Sequence, residues 1–208
     1  AADGDYSLEA IARDLLKVGE NVARGGTRPH VVGASLGGLA AIVAAGMLSR
    51  DAFESVTLVD ITPNMDAAGV TKVVGFMGAH VKEGFASLEQ AADVVATYLP
   101  HRPRPKDLEG LRKNLRQGED GRWRWHWDPA FITGVTRRSG VARTSELEQA
   151  VRNIRVPLHL IRGRMSELVT EDSVAAFRSL APRAHFTDVA GARHMVAGDC
   201  NDLFVEAV

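Results

Sequence analysis

The sequence predicts an α/β protein: a mostly parallel β-sheet covered by helices on both faces, interrupted by a helical insertion. Three observations lead there. Strand-like segments at residues 30–32, 55–59, 157–162 and 185–189 alternate with helical patterns, the signature of βαβ units joined by short loops. The first two read as buried strands, and the short loops joining strands to helices suit a parallel sheet covered on both faces. Between the second and third runs the pattern changes, and residues 64–148 read as helices without clear strands.

Taken in order, the first element spans residue 7 to about 24. Leu8, Ile11, Leu15, Val18 and Val22 recur there at steps of three and four, one face of an amphipathic helix. Ser7 caps its first turn, Glu9 complements the N-terminal dipole, and Gly25-Gly26 stop it. His30-Val31-Val32 then reads as a buried strand running straight into Gly33-Ala34-Ser35-Leu36-Gly37-Gly38. Residues 39–49 are rich in Ala, Leu, Ile, Val and Met, a helix apolar on most sides and therefore buried. A second buried strand, residues 55–59, ends at Asp60 and is stopped by Pro63.

In the insertion, Pro100, Pro103, Pro105 and the segment around Gly118 and Gly121 break the helices. Trp123, Trp125 and Trp127 alternate before Asp128-Pro129. From Val156 the β-α-β pattern resumes. A strand over 157–162 is followed by a loop, and Thr170 caps a helix running to about Leu180. The strand over 185–189 leads into a loop carrying His194, and a last helix begins near Asp199. Residues 1–63 and 149–208 are thus assigned to the core, and residues 64–148 to the insertion.

Composition excludes several classes. The formal net charge of -1 gives no bulk attraction to nucleic acid or anionic membrane. The basic residues from Arg102 to Arg116 are interleaved with Asp107, Glu109, Glu119 and Asp120, a solvated helical surface rather than a polyanion site. No apolar run approaches the about 18 residues of a membrane span, and nothing resembles a signal peptide, so the expected location is the cytoplasm. Cys200 is the single cysteine, which rules out an intrachain disulfide and a cysteine metal cluster.

Gly33-Ala34-Ser35-Leu36-Gly37 carries the chemistry. It fits G-x-S-x-G, the tight strand-to-helix turn that exposes a nucleophilic serine. Its backbone is strained, so the neighbours must lack bulk, and the helix after it aims its N-terminus at the site. The Leu36 N–H is then available to an oxyanion. With 20 Gly in 208 residues, the pattern arises by chance about 0.1 times per chain, so its placement between an apolar strand and an Ala-rich helix decides. The segment lacks the GK[ST] ending of a P-loop and the spacing of G-x-G-x-x-G.

A serine hydroxyl needs a base. Of seven histidines, His194 alone lies in a loop after the last strand, at the sheet edge where open α/β sheets place their ligands. The base in turn needs an acid to orient it. In the loop after the 157–162 strand the one carboxylate is Glu167, the favoured candidate, and Asp60 at the end of the second strand is the alternative.

These stretches (residues 29–38, 162–170 and 189–199) resemble bacterial α/β-hydrolase fold proteins, the family of small esterases, lactonases, cofactor-free haloperoxidases and epoxide hydrolases. Residues 64–148, with Trp125-His126-Trp127-Asp128-Pro129, are similar to the family's helical cap. The resemblance implies a small-molecule substrate bound between cap and sheet, with Trp125, Trp127 and Met195 in its pocket, and no metal or organic cofactor. The tryptophans serve equally well as packing that seats the cap. A serine rather than an aspartate at the elbow argues against dehalogenase or epoxide hydrolase chemistry. The expected reaction is hydrolysis of a small carboxylic ester or lactone through an acyl-enzyme. Its rivals are perhydrolase, haloperoxidase or acyltransferase activity with the same residues, and a non-catalytic binding protein of the same fold. Family members carry further strands before the first helix, and a loop among them donates a second oxyanion N–H. The chain opens on Ala1-Ala2-Asp3-Gly4, so the resemblance leads one to expect a piece of a longer protein. The loss of one oxyanion donor would cost about 10²–10³ in kcat.

Overall fold

The computed structural model describes residues 4–23, 25–104, 106–136 and 141–208. The expected helix end at Arg24, the break at Pro105 and the opening Ala1-Ala2-Asp3 lie outside the described residues. The chain divides into two compact units, residues 1–70 with 134–208, and residues 71–133. The second is narrower than the 64–148 insertion read from sequence, because the helix over residues 141–153 buries Leu147, Ala150 and Val151 in the core of the first.

The larger unit is built on a parallel sheet of order β1-β2-β5-β6, from β1 (His30–Ala34), β2 (Ser55–Val59), β5 (Leu158–Gly163) and β6 (His185–Val189). Register aligns the strand ends. His30 pairs with Ser55 and Ala34 with Val59, while Val59 pairs with Ile161 and Gly163 with Val189. All four strands therefore finish at one edge, where Ser35, Asp60 and the two loops after β5 and β6 emerge side by side.

Helices lie on both faces of the sheet, while the edge strand β1 exposes alternate residues, with Val32 46% exposed. On one face, Leu58 and Leu160 join a core with α1 (Leu8–Val22), α2 (Leu36–Val43), α7 (Val141–Asn153) and α8 (Glu171–Leu180). Ser7 caps α1 by accepting from Ala10 N–H, and Thr170 caps α8 by accepting from Ser173 N–H. Residues 40–45 are almost wholly buried. The expected single helix over 39–49 begins earlier, at Leu36, and ends in a π-helical turn (Ala44–Leu48). There a Cβ on Gly46 would lie 2.1 Å from the Ala150 carbonyl, so α7 approaches backbone to backbone, and Asn153 Nδ2 donates to the Gly46 carbonyl. The alternate strand residues Val59 and Ile161 face the other side, covered by Val189, Ala192, α9 (Val196–Asp199) and α10 (Asn201–Ala207) through Val196 and Phe204.

Arg162, 2% exposed, closes the β5–β6 pair by bonding both oxygens of Asp188 and also Glu171. Burial opposes its charge, but the hydrogen bonds and attraction of the two carboxylates outweigh that and hold the guanidinium above its ordinary pKa. His159 on β5 behaves oppositely. Burial, then the neighbouring His185, push its pKa below the usual 6.5, and its Nε2 pairs with Thr187 Oγ1 at 2.9 Å. The folded chain therefore binds that proton less readily than the unfolded one. The His159 contribution to stability is complete above about pH 6.5 and is lost as pH falls from there toward the depressed folded value. The melting temperature is expected to drop over this window, with a smaller drop in His159→Gln. An identical pH dependence in the variant would count against it.

The smaller unit differs from its sequence reading. The chain enters it along α3 (Ala67–Gly78), continues through α4 (Leu88–Tyr98) and α5 (Glu109–Arg112), and leaves along α6 (Ala130–Thr136). Between α5 and α6 lies an antiparallel hairpin, β3 (Leu115–Gln117) and β4 (Trp123–Trp125), with Leu115 opposite Trp125 and Gln117 opposite Trp123. Trp123 and Trp125 are thus period-two strand residues, Trp127 follows just beyond the strand, and the Gly-rich segment is the hairpin turn, with Gly121 at φ 75°. Asp120 clamps the turn to Arg124 through both oxygens, and this bond, with Arg122 N–H, lowers its pKa to about 2. Phe85, Ala91 and Leu115 form a small core with Trp123 and Trp125 against it.

Candidate active site

Ser35 is the hinge between β1 and α2, at φ 50° and ψ −119°. A non-glycine residue there stores about 1–3 kcal/mol of backbone strain, held by its surroundings. The crowding is specific. A Cβ on Gly33 would lie 2.6 Å from the Gly37 carbonyl carbon, and one on Gly38 would lie 2.3 Å from Ile61 Cγ2. Gly37, by contrast, faces open space. Gly33 and Gly38 are therefore the positions that permit the bend. Ser35 occupies the N-cap of α2, yet its hydroxyl makes no cap bond, which leaves Oγ for other work. Leu36 is the first helical residue, and its N–H has no acceptor within the helix.

Asp60 succeeds β2 as Ser35 succeeds β1, and the register sets them in adjacent strand ends, with Ser35 N–H bonded to the Val59 carbonyl. Asp60 is fully buried, at φ 51°. Its Oδ1 accepts Gly163 N–H at 2.9 Å, and its Oδ2 accepts the Ser166 hydroxyl at 2.6 Å and His194 Nδ1 at 2.8 Å. The other ring nitrogen of His194, Nε2, lies 3.2 Å from Ser35 Oγ. A carboxylate oxygen accepts, so Nδ1 carries the proton and Nε2 presents its lone pair to the Ser35 hydroxyl. Gly163 admits the His194 loop, since a Cβ there would lie 2.1 Å from the Arg193 carbonyl oxygen. Asp199 and Met165 anchor that loop, through Arg193 N–H to Asp199 Oδ2 and Met165 N–H to the Ala192 carbonyl.

A parallel sheet flanked by helices, with a strained serine at a strand-to-helix bend and an imidazole against it, defines a recognisable pattern, and the sequence profile of the alpha/beta hydrolase family matches residues 1–207. The chain belongs to that family. Within it, the esterase Rv0045c of Mycobacterium tuberculosis is 28% identical over 99% of this chain and 67% of its own length. The 2-(acetamidomethylene)succinate hydrolase of Mesorhizobium japonicum is 26% identical over 98% of this chain and 70% of its own. Among solved structures, an E-2-(acetamidomethylene)succinate hydrolase superposes with a TM-score of 0.79 at 24% identity, covering 97% of this chain and 72% of that one.

The geometry of this alpha/beta hydrolase bears on the choice of acid. His194 Nδ1 is bonded to Asp60, the alternative acid, and not to Glu167, the favoured one. The reason is register. Asp60 emerges beside Ser35 in the sheet itself, whereas the loop beyond Gly163 meets Asp60 through Ser166 and sets the Glu167 backbone against α3, where a Cβ on Gly69 would lie 2.2 Å from the Glu167 carbonyl oxygen. The sequence carried part of the signal, since Asp60 directly ends an apolar strand one element after the elbow. Ser166 and Gly163, which hold Asp60, carried no such signal.

The remaining candidates fall in two places. Met195 is 46% exposed beside His194 in the larger unit. Trp125 and Trp127 belong to the smaller unit, where their rings stack at 4.8 Å and 10°, with Phe76 and Phe85 packed edge-on against Trp125. Both indole N–H groups are buried, and neither has a hydrogen-bond partner among the described residues. No group of three or more His, Cys, Asp or Glu among the described residues is placed to hold a metal ion. No helix among them is long and apolar enough to cross a membrane.

Proposed function

We propose that the chain is a serine hydrolase that cleaves a small carboxylic ester or lactone through an acyl-enzyme. The observation that carries this reading is the continuous path from Ser35 Oγ through His194 to Asp60, at 3.2 and 2.8 Å. Ser35 Oγ attacks the carbonyl carbon as His194 Nε2 takes its proton. The Leu36 N–H supports the oxygen that becomes negative. The tetrahedral adduct collapses, His194 returns the proton to the departing alkoxide, and the acyl group stays on Ser35. Water then attacks by the same steps in reverse. Asp60 keeps the imidazole in the required tautomer and stabilises its charged form. A relative named an esterase and another named a hydrolase support the reaction class.

Residues 64–148, which include the smaller unit, are assigned the part of the cap, and Met195, exposed beside His194, is assigned to substrate contact. Purified protein is expected to release p-nitrophenol from p-nitrophenyl acetate with saturation kinetics, and to show no peroxide-dependent halogenation of monochlorodimedone above background. Halogenation without ester cleavage would replace this reading with the haloperoxidase one. Neither activity in a demonstrably folded protein would favour a binding role.

A further inference from the structure

We infer that Ser166 is a positioning residue for Asp60, and through it for His194. The inference rests on the serine hydrolase reading and goes beyond it, since Ser166 touches neither substrate nor nucleophile. Its hydroxyl oxygen accepts two backbone N–H groups, those of Leu168 and Val169, each at 3.1 Å. Those two bonds occupy its lone pairs, so its own hydrogen must point elsewhere, and it points at Asp60 Oδ2, 2.6 Å away. Ser166 is thereby fixed as a donor. The oxygen that receives it is the one that receives His194 Nδ1, and Gly163 N–H holds the other oxygen of the same carboxylate.

Three donors from three directions leave the fully buried Asp60 a single orientation. Several charged groups of the neighbouring segments are engaged elsewhere. Arg162 bonds Asp188 and Glu171, the Asp66 carboxylate accepts Gly69 N–H, and that of Asp199 accepts Arg193 N–H. Without the Ser166 hydroxyl, Oδ2 keeps only the imidazole bond, and the carboxylate can swing about Gly163 N–H. The imidazole then loses the fixed direction in which Nε2 meets Ser35.

A double-mutant cycle on the full chain tests this, with kcat and KM for p-nitrophenyl acetate as the readout and fluorophosphonate labelling rate for slow variants. Ser166→Ala is expected to lower kcat about tenfold with KM within about twofold. Ser166→Thr, which keeps the hydroxyl, is expected to recover most of that loss. In an Asp60→Asn background the same Ser166→Ala change is expected to cost less than about twofold, because the group it acts through has gone. An equal cost in both backgrounds, or a Ser166→Thr variant as slow as Ser166→Ala, would show that Ser166 merely pins its loop, and would overturn the inference. Should Ser166→Ala fail to fold, Ser166→Cys, which fills the space with a weak donor, supplies the same cycle. An Asp60→Asn variant as active as the unaltered chain would also overturn the inference, whereas an unaltered, folded chain that neither cleaves the ester nor takes the fluorophosphonate would bring down the hydrolase reading itself.

Discussion

Replacing Ser35 by alanine is expected to lower kcat for p-nitrophenyl acetate by roughly 10⁴–10⁶, with KM changed no more than a few-fold. The size comes from the two tasks of the hydroxyl. It is both the attacking atom and the group whose proton His194 removes, so nothing else at the site can form the acyl intermediate. Binding contacts and the Leu36 N–H survive the change and leave a small residual rate. The fold is expected to survive too. Oγ makes no cap bond to α2, and alanine meets the same strained backbone at φ 50° that serine does. A variant that melts within a few degrees of the parent yet has lost its activity therefore separates chemistry from stability. Retention of even a tenth of the activity would remove Ser35 from the reaction.

The second large effect belongs to Asp60. Asp60→Asn is expected to cost about 10⁴ in kcat while the carboxamide keeps the shape of the buried side chain. The cause is the tautomer. An amide placed against Nδ1 can offer an N–H, which leaves the proton on Nε2, where it blocks removal of the Ser35 proton. Glu167→Gln provides the contrast and is expected to change kcat by less than about threefold, because His194 Nδ1 is bonded to Asp60. Measured side by side, the two variants decide between the two carboxylates. Near-equal losses would mean that His194 exchanges partners during turnover, and a larger loss at Glu167 would reverse the assignment.

Those two carboxylates also mark how far the sequence could be read. The strand at 55–59 was legible because its Val-Thr-Leu-Val run is apolar or β-branched and ends at Asp60 and Pro63. The caps at Ser7 and Thr170 were legible because a capping side chain bonds a neighbour three residues away. The choice between Asp60 and Glu167 was not local. It depended on how β2 and β5 align, with Asp60 N–H bonded to the Ile161 carbonyl, a contact about a hundred residues apart in the chain. The β3–β4 hairpin was lost for a related reason. Strands of three residues show one period of alternation at most, and Trp123 reads as easily in a loop as opposite Gln117. The motif also misplaced one demand for smallness, since Gly38, outside G-x-S-x-G, is crowded by Ile61 and Gly37 is not.

The most direct measurement is the site of covalent capture. The chain is treated with a fluorophosphonate, digested, and the adduct located by mass spectrometry. A single adduct on Ser35, formed at a rate that collapses in a His194→Ala variant, is the outcome expected of an imidazole that takes the serine proton across 3.2 Å. An adduct on a different serine, or capture of Ser35 at an unchanged rate without His194, would contradict the account.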